Sequence, residues 1–204
     1  METTSLPIQS HEVKHTPRFI ATSFLCLLLC TSCYSPQPSP VATRYGADNR
    51  LPDTVSYWNG DHMTGSPSVR ISLSQQRAYF YKGNQLVGVS KISSGSEGLD
   101  TVTGSFRILE KDRHHASSLF GNYVDANGVI IQKDVDTSKD PKPPGAIYDG
   151  ASMPYWMRIV GGTGMHEGFL PGYADSHGCI RMPSFMAERF FHSVKVGTPV
   201  SIEP

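Results

Sequence analysis

The 204-residue sequence predicts a mostly β domain, a sandwich or barrel, with one short helix near its C-terminus. Three observations lead there. Short runs of β-prone residues recur at hairpin spacing, the pattern of antiparallel sheets rather than of alternating strands and helices. The chain holds 19 glycines and 15 prolines, too many turn-formers for an all-helical bundle. A single stretch, roughly Ser184 to Val194, repeats its apolar residues at three and four positions, as one buried helix face requires.

Taken in order, the chain opens with Lys14 and Arg18 ahead of the apolar run Phe19 to Cys30. That run is too short to span a bilayer as a helix. A basic flank and a short apolar core are the layout of a secretory signal peptide. Thr31 and Ser32 then lead into Cys33. This resembles a bacterial lipobox, in which signal peptidase cuts before a cysteine that carries lipid; Cys30 stands where such boxes usually hold Leu. Ordinary secretion without lipid is the alternative. Residues 1–32 are therefore expected to be a lipoprotein-type signal peptide. Residues 33–68, with Pro36, Pro38, Pro40, Pro52 and Pro67 and no periodicity, are expected to be a lipid-anchored tether, apart from Tyr57 and Trp58.

From Val69 the pattern changes, and 69–204 is expected to be one domain. Val69, Ile71 and Leu73 alternate with Arg70 and Ser72, a half-buried strand. Arg77–Tyr81 and Leu86–Val89 flank Gly83-Asn84, a hairpin signal because Gly supplies the positive φ a tight turn needs. Gly104–Leu109, Gly128–Gln132, Trp156–Val160 and Pro199–Ile202 read as further strands. Between them, Lys133 to Pro154 carries many charges and four prolines, and is expected to loop over a site. The helix is capped by Ser184 in this reading and buries Met186, Ala187, Phe190, Phe191 and Val194; Gly197-Thr198-Pro199 lies beyond its end.

Charge excludes one class of function. With 18 Lys and Arg against 18 Asp and Glu, formal net charge is zero. Nothing in that balance holds the protein to nucleic acid by bulk electrostatics.

Cysteine usage points to chemistry. If the signal is removed and Cys33 acylated, Cys179 is the remaining thiol of the exported protein. A free thiol in an oxidising compartment is a liability unless buried or used. Two histidines accompany it, in Met165-His166-Glu167-Gly168 and Ser176-His177-Gly178-Cys179-Ile180-Arg181-Met182. A thiol near pH 7 is a weak nucleophile until a base raises its thiolate fraction. On a strand, His177 and Cys179 share a face. The turn-rich segment through Gly168, Pro171 and Gly172 can fold His166 back onto Cys179. Gly178 leaves no side chain beside the thiol, so its amide and that of Cys179 can approach a developing oxyanion. Two other readings stay open on spacing alone. One is a buried thiol with two hydrogen-bonded histidines. The other is zinc held by His166, His177 and Cys179, with His114-His115 invoked for the missing ligand.

The hexapeptide Ser176-His177-Gly178-Cys179-Ile180-Arg181 with upstream His166 resembles the signature of the L,D-transpeptidase catalytic domain, the YkuD-like family. The resemblance covers about Val69 to Glu203. Met153–Met157 ahead of Gly161-Gly162 resembles the approach to the family's first His. Thr103-Gly104-Ser105-Phe106 resembles its Thr-Pro-x-Gly-x-Phe strand start, with Val102-Thr103 departing from Thr-Pro. Gly197-Thr198-Pro199-Val200 matches its closing turn.

The resemblance implies a sandwich-like domain and a reaction on peptidoglycan that needs no ATP, cofactor or metal. A cysteine attacks the bond between the diamino acid and D-Ala of a tetrapeptide stem, and a thioester passes to an amine. Cys179 is then the nucleophile and His166 the general base and acid, its other ring nitrogen oriented by the Glu167 carbonyl. His177 supports the turn, Gly178 and Cys179 amides form the oxyanion hole, and Ser176 holds the turn by hydrogen bonding. Arg181 either meets a substrate carboxylate or forms a structural ion pair. Tyr155 and Trp156 either line the donor cleft or pack in the core. Implied partners are stem peptides, carbapenems as acylating mimics, and the membrane through Cys33. The implied location is the periplasmic side of the envelope, and Tyr34 in place of an Asp after Cys33 favours an outer membrane. The competing functions are a carboxypeptidase that uses water, an idle peptidoglycan-binding module and a metal-dependent amidase.

Overall fold

The computed structural model describes residues 53–204. The expected signal peptide, Cys33 and the expected tether up to residue 52 lie outside the described residues.

Thirteen strands and one helix follow in chain order: β1 (Tyr57–Trp58), β2 (Pro67–Ser72), β3 (Arg77–Lys82), β4 (Gln85–Lys91), β5 (Gly104–Arg107), β6 (Glu110–Asp112), β7 (Ala116–Val124), β8 (Ile130–Asp136), β9 (Ile147–Ser152), β10 (Trp156–Val160), β11 (Thr163–Glu167), β12 (Ile180–Met182), α1 (Ser184–Ser193) and β13 (Pro199–Glu203). They form a six-stranded sheet ordered β1-β4-β3-β2-β13-β5, a four-stranded sheet ordered β12-β11-β10-β6, and a three-stranded sheet ordered β8-β7-β9. One core joins the first two sheets to the helix. Val69, Ile71, Phe80 and Val200 from the large sheet meet Met157, Ile159, Met165 and Ile180 from the smaller one, with Met186, Ala187 and Phe190 of α1. The mostly β, sandwich-like class with one short C-terminal helix is what the sequence predicted.

Local chemistry accounts for the elements. Lys82 pairs with Gln85 across a two-residue turn, with positive φ at Gly83, the first turn position, where a Cβ is otherwise penalised. Helix α1 buries Met186, Ala187 and Phe190 and leaves Phe191 half-buried.

Several expectations need correction. Pro183, not Ser184, occupies the N-cap, with no side-chain cap bond. The Ser184 hydroxyl donates instead to Glu167 Oε2 at 2.9 Å. Gly104–Leu109 is not one strand: β5 ends at Arg107, and the chain crosses to the other sheet through Ile108, buried in the core. Strand β8 starts two residues late because Asp125 Oδ1 accepts the amides of Asn127 and Val129 and prolongs the turn. The Lys133–Pro154 segment is no simple loop. Its ends belong to β8 and β9, which flank β7.

The tether also ends earlier than expected. Strand β1 pairs with β4, Tyr57 with Val89 and Trp58 with Gly88. Trp58 packs edge-on to Phe80 at 5.0 Å between centroids and lies 6.0 Å from Phe190. Its indole N–H donates to Asp61, which pairs with Arg189 of α1 at 3.1 Å. A large aromatic half-buried and packed this way contributes too much apolar area to be part of a free linker, so the folded unit includes residues upstream of Val69.

Candidate active site

The site is built on two parallel strands, near the end of one and at the start of the other. Strand β11 pairs with β12 in parallel, Met165 opposite Ile180 and His166 opposite Arg181. Side chains alternate along β11, so Met165 enters the core and His166 turns to the other face. Cys179 immediately precedes β12. His166 and Cys179 both line one cleft of about 940 Å³, with Trp156, Gly162, Phe120, His177 and Arg181 among its walls. A second hollow, about 830 Å³ around Arg70, Tyr81 and Arg107, holds neither histidine nor cysteine.

The state of the histidine follows from its neighbours. His166 is 5% exposed. Its Nδ1 lies 2.6 Å from the Glu167 carbonyl. A carbonyl only accepts, so Nδ1 carries the proton and Nε2 is the free base. Burial is the main reason its pKa falls to about 4; the charge of Arg181 pushes the same way, and the Glu167 bond opposes it. The imidazole is therefore neutral near pH 7. Burial pushes the Cys179 thiol up, against the pull of Arg181 and a backbone amide. The thiol donates weakly to the Gly162 carbonyl at 3.5 Å. At rest the pair is a thiol and a neutral imidazole, not a thiolate beside an imidazolium.

The turn before Cys179 is tied down from several sides. Gly178 has φ of 106°, a conformation that disfavours any side chain. Ser176 Oγ donates to the Cys179 carbonyl at 2.5 Å and accepts the Gly178 amide at 3.1 Å. Ser176 thus holds the turn through its hydroxyl while lining the cleft. The Gly178 amide is engaged, which corrects its expected place in the oxyanion hole; the Cys179 amide is the donor of this pair that remains. Residues 176–179 do not form a strand, so the shared face that a strand would give His177 and Cys179 does not apply; the glycine turn breaks the pleat.

The remaining expected residues separate. His177 is exposed and stacks on Phe120 of β7 at 4.4 Å, so it links the turn to the three-stranded sheet. Trp156 is buried in the cleft wall, stacked on His115 at 4.6 Å and 5.9 Å from His166. Tyr155 does not line the cleft: with φ of 57° it turns towards Phe191 and His192 of α1. Its placement in the donor site is corrected. Arg181 lines the cleft but pairs with Asp175 at 3.1 Å, the structural alternative. Among the described residues no three His, Cys, Asp or Glu side chains converge as metal ligands. Lying outside the sequence reading is the segment Ser93–Thr101, which pairs with the cysteine loop through Ser93–Arg181 and Gly95–Ser176 bridges. Its serines, Glu97, Asp100 and Thr101 stand at no motif spacing from His166 or Cys179, so only proximity reveals it.

Comparison with known proteins bears on the family and the fold. A family model for the L,D-transpeptidase catalytic domain matches residues 66–202. No curated protein matches the chain. Solved structures with a similar fold include the L,D-transpeptidase of Stackebrandtia nassauensis, 16% identical with a TM-score of 0.50 over 70% of this chain and 57% of that one. An L,D-transpeptidase of Mycobacterium smegmatis is 17% identical with a TM-score of 0.51 over 68% and 59%. The L,D-transpeptidase LdtMt1 in complex with imipenem is 19% identical with a TM-score of 0.50 over 67% and 58%. This chain thus spans less than two thirds of each. With the family model covering both His166 and Cys179 on the fold described above, the chain belongs to the L,D-transpeptidase catalytic domain family.

Proposed function

We propose that this protein is a cysteine-dependent peptidoglycan L,D-transpeptidase. The observation that carries the reading is His166 fixed as the Nδ1–H tautomer in the cleft that holds Cys179. A base with an unprotonated Nε2 in the same cleft as a thiol is what nucleophilic acyl transfer requires.

The donor is a tetrapeptide stem. The Cys179 thiol leaves the Gly162 carbonyl and passes its proton to His166 Nε2 as sulfur bonds to the carbonyl carbon of the diamino acid. The oxyanion is met by the Cys179 amide. Collapse breaks the bond to D-Ala, whose amine takes the proton from His166. An acceptor amine then attacks the thioester, His166 takes its proton, and the thiol is restored. The lowered pKa of His166 suits brief protonation: the imidazolium is unstable in its buried site and returns its proton readily. Trp156 walls the cleft beside the base.

We further propose, on the signal-like run and the lipobox-like Cys30–Cys33 sequence, that the protein acts on the periplasmic side of the envelope, held by lipid on Cys33. Carbapenems, one of which is held by the neighbour LdtMt1, are its expected acylating mimics.

The test is incubation with a purified tetrapeptide muropeptide and product mass analysis. Loss of D-Ala with a cross-linked dimer supports transpeptidation. Free tripeptide alone would mean that water is the acceptor. No turnover and no imipenem adduct on Cys179 would leave a binding module and sink the proposal.

A further inference from the structure

We propose that Thr101 is a positioning residue for the oxyanion-binding amide of Cys179. The inference rests on the acyl-transfer reading above and concerns a residue distant in sequence from both His166 and Cys179.

Thr101 is 4% exposed, so its hydroxyl has no bulk water to turn to. It accepts the Gly95 amide at 2.9 Å and donates to the Gly178 carbonyl at 3.0 Å. Its proton is thereby committed to one acceptor. The Gly178 carbonyl and the Cys179 N–H belong to a single peptide unit. No described peptide bond is cis, and in a trans planar unit the C=O and N–H point in opposite directions. Fixing the carbonyl therefore fixes the amide. Thr101 pulls the carbonyl inward, towards the Ser93–Thr101 segment, and the N–H is aimed away from it, to the side where Cys179 enters the cleft.

This fixing has a specific need. The Gly178 amide is spent on Ser176 Oγ, so of the two amides that flank this peptide the Cys179 N–H is the one left for a developing oxyanion. Gly178, without a Cβ and with φ of 106°, is the residue about which that peptide plane turns most freely. Ser176 restrains the units before and after this plane, through the Gly178 amide and the Cys179 carbonyl. The peptide between them is held by Thr101. An oxyanion donor is effective when its direction is set before the charge appears.

The test separates acylation from alkylation. Both need the Cys179 thiolate, but only acylation builds a tetrahedral oxyanion. Thr101→Val keeps the shape and removes the hydroxyl; Thr101→Ser keeps the hydroxyl. Imipenem acylation and iodoacetamide alkylation of Cys179 are followed by intact mass, below the melting temperature of each variant. Thr101→Val should acylate about 10-fold slower or worse, with unchanged alkylation, and Thr101→Ser should recover most of the acylation rate. Equal loss of both reactions in Thr101→Val, or no loss of acylation, would overturn the proposal. Failure of the wild-type protein to be acylated at all would instead remove the reading on which it rests, and this inference with it.

Discussion

The Nδ1 atom of His166 and the carbonyl oxygen of Glu167 lie 2.6 Å apart, a contact between neighbours in sequence that decides which ring nitrogen is basic. Glu167 is itself held, its carboxylate accepting the Ser184 hydroxyl at the start of α1. The carbonyl itself is held from β12, because the Gly168 amide of the same peptide unit donates to the Met182 carbonyl at 3.0 Å.

The first prediction concerns the nucleophile. Cys179→Ala should abolish turnover of the muropeptide and any imipenem adduct while the fold persists. Cys179→Ser should be nearly as inactive, because a hydroxyl ionises far less than a thiol. Measurable turnover by the alanine variant would remove Cys179 from the mechanism.

The second follows from the resting protonation. The thiol is pushed up by burial and His166 is neutral near pH 7. Iodoacetamide alkylation of Cys179 should therefore climb steadily with pH into the alkaline range. A rate already flat between about pH 5 and 8 would indicate a preformed thiolate–imidazolium pair.

The third concerns stability against pH. His166 titrates near 4 when folded and near 6.5 when free. Between those values the unfolded chain takes up a proton that the folded chain refuses. Stability present above pH 6.5 is lost as pH falls towards 4, by about 3 kcal/mol in all. Urea unfolding of the wild type and His166→Gln between pH 4 and 7 measures this. The glutamine variant should lose less, and parallel curves would contradict the burial of a neutral ring.

The fourth separates packing from proton transfer at His177. If its stack on Phe120 positions the cysteine turn, His177→Ala should lower both activity and thermal stability, and His177→Phe should restore much of each. An inactive but fully stable phenylalanine variant would instead give His177 a proton to carry.

The fifth addresses the chain ahead of the domain. Trp58→Ala should cost about 2–4 kcal/mol, within the range for removing a large core aromatic and reduced by its partial exposure. A fragment of residues 53–204 should melt well above one of residues 69–204. For the anchor, the mature protein should begin at Cys33 and carry lipid mass, and Cys33→Ser should not partition with membranes. A mature N-terminus elsewhere would end the anchor proposal and leave the enzyme proposal intact.

Sequence by itself determined what neighbouring residues decide. Gly83 marks the β3–β4 turn because positive φ is a property of one residue. The three- and four-residue spacing of Met186, Ala187 and Phe190 specifies a buried helix face whatever it packs on. The Ser176–Arg181 hexapeptide carries the thiol, its glycine turn and the serine that braces it, all within local reach. Tertiary structure decided the rest, for a physical reason in each case. Strand β7 lacks clean alternation and exists because β8 and β9 satisfy both of its edges. Tyr155 faces α1 rather than substrate because its backbone takes a left-handed conformation just before β10. Thr101 meets Gly178 across 77 positions. Nothing in its local sequence separates that threonine from any other, since a buried hydroxyl acquires its role from the acceptor that folding sets before it.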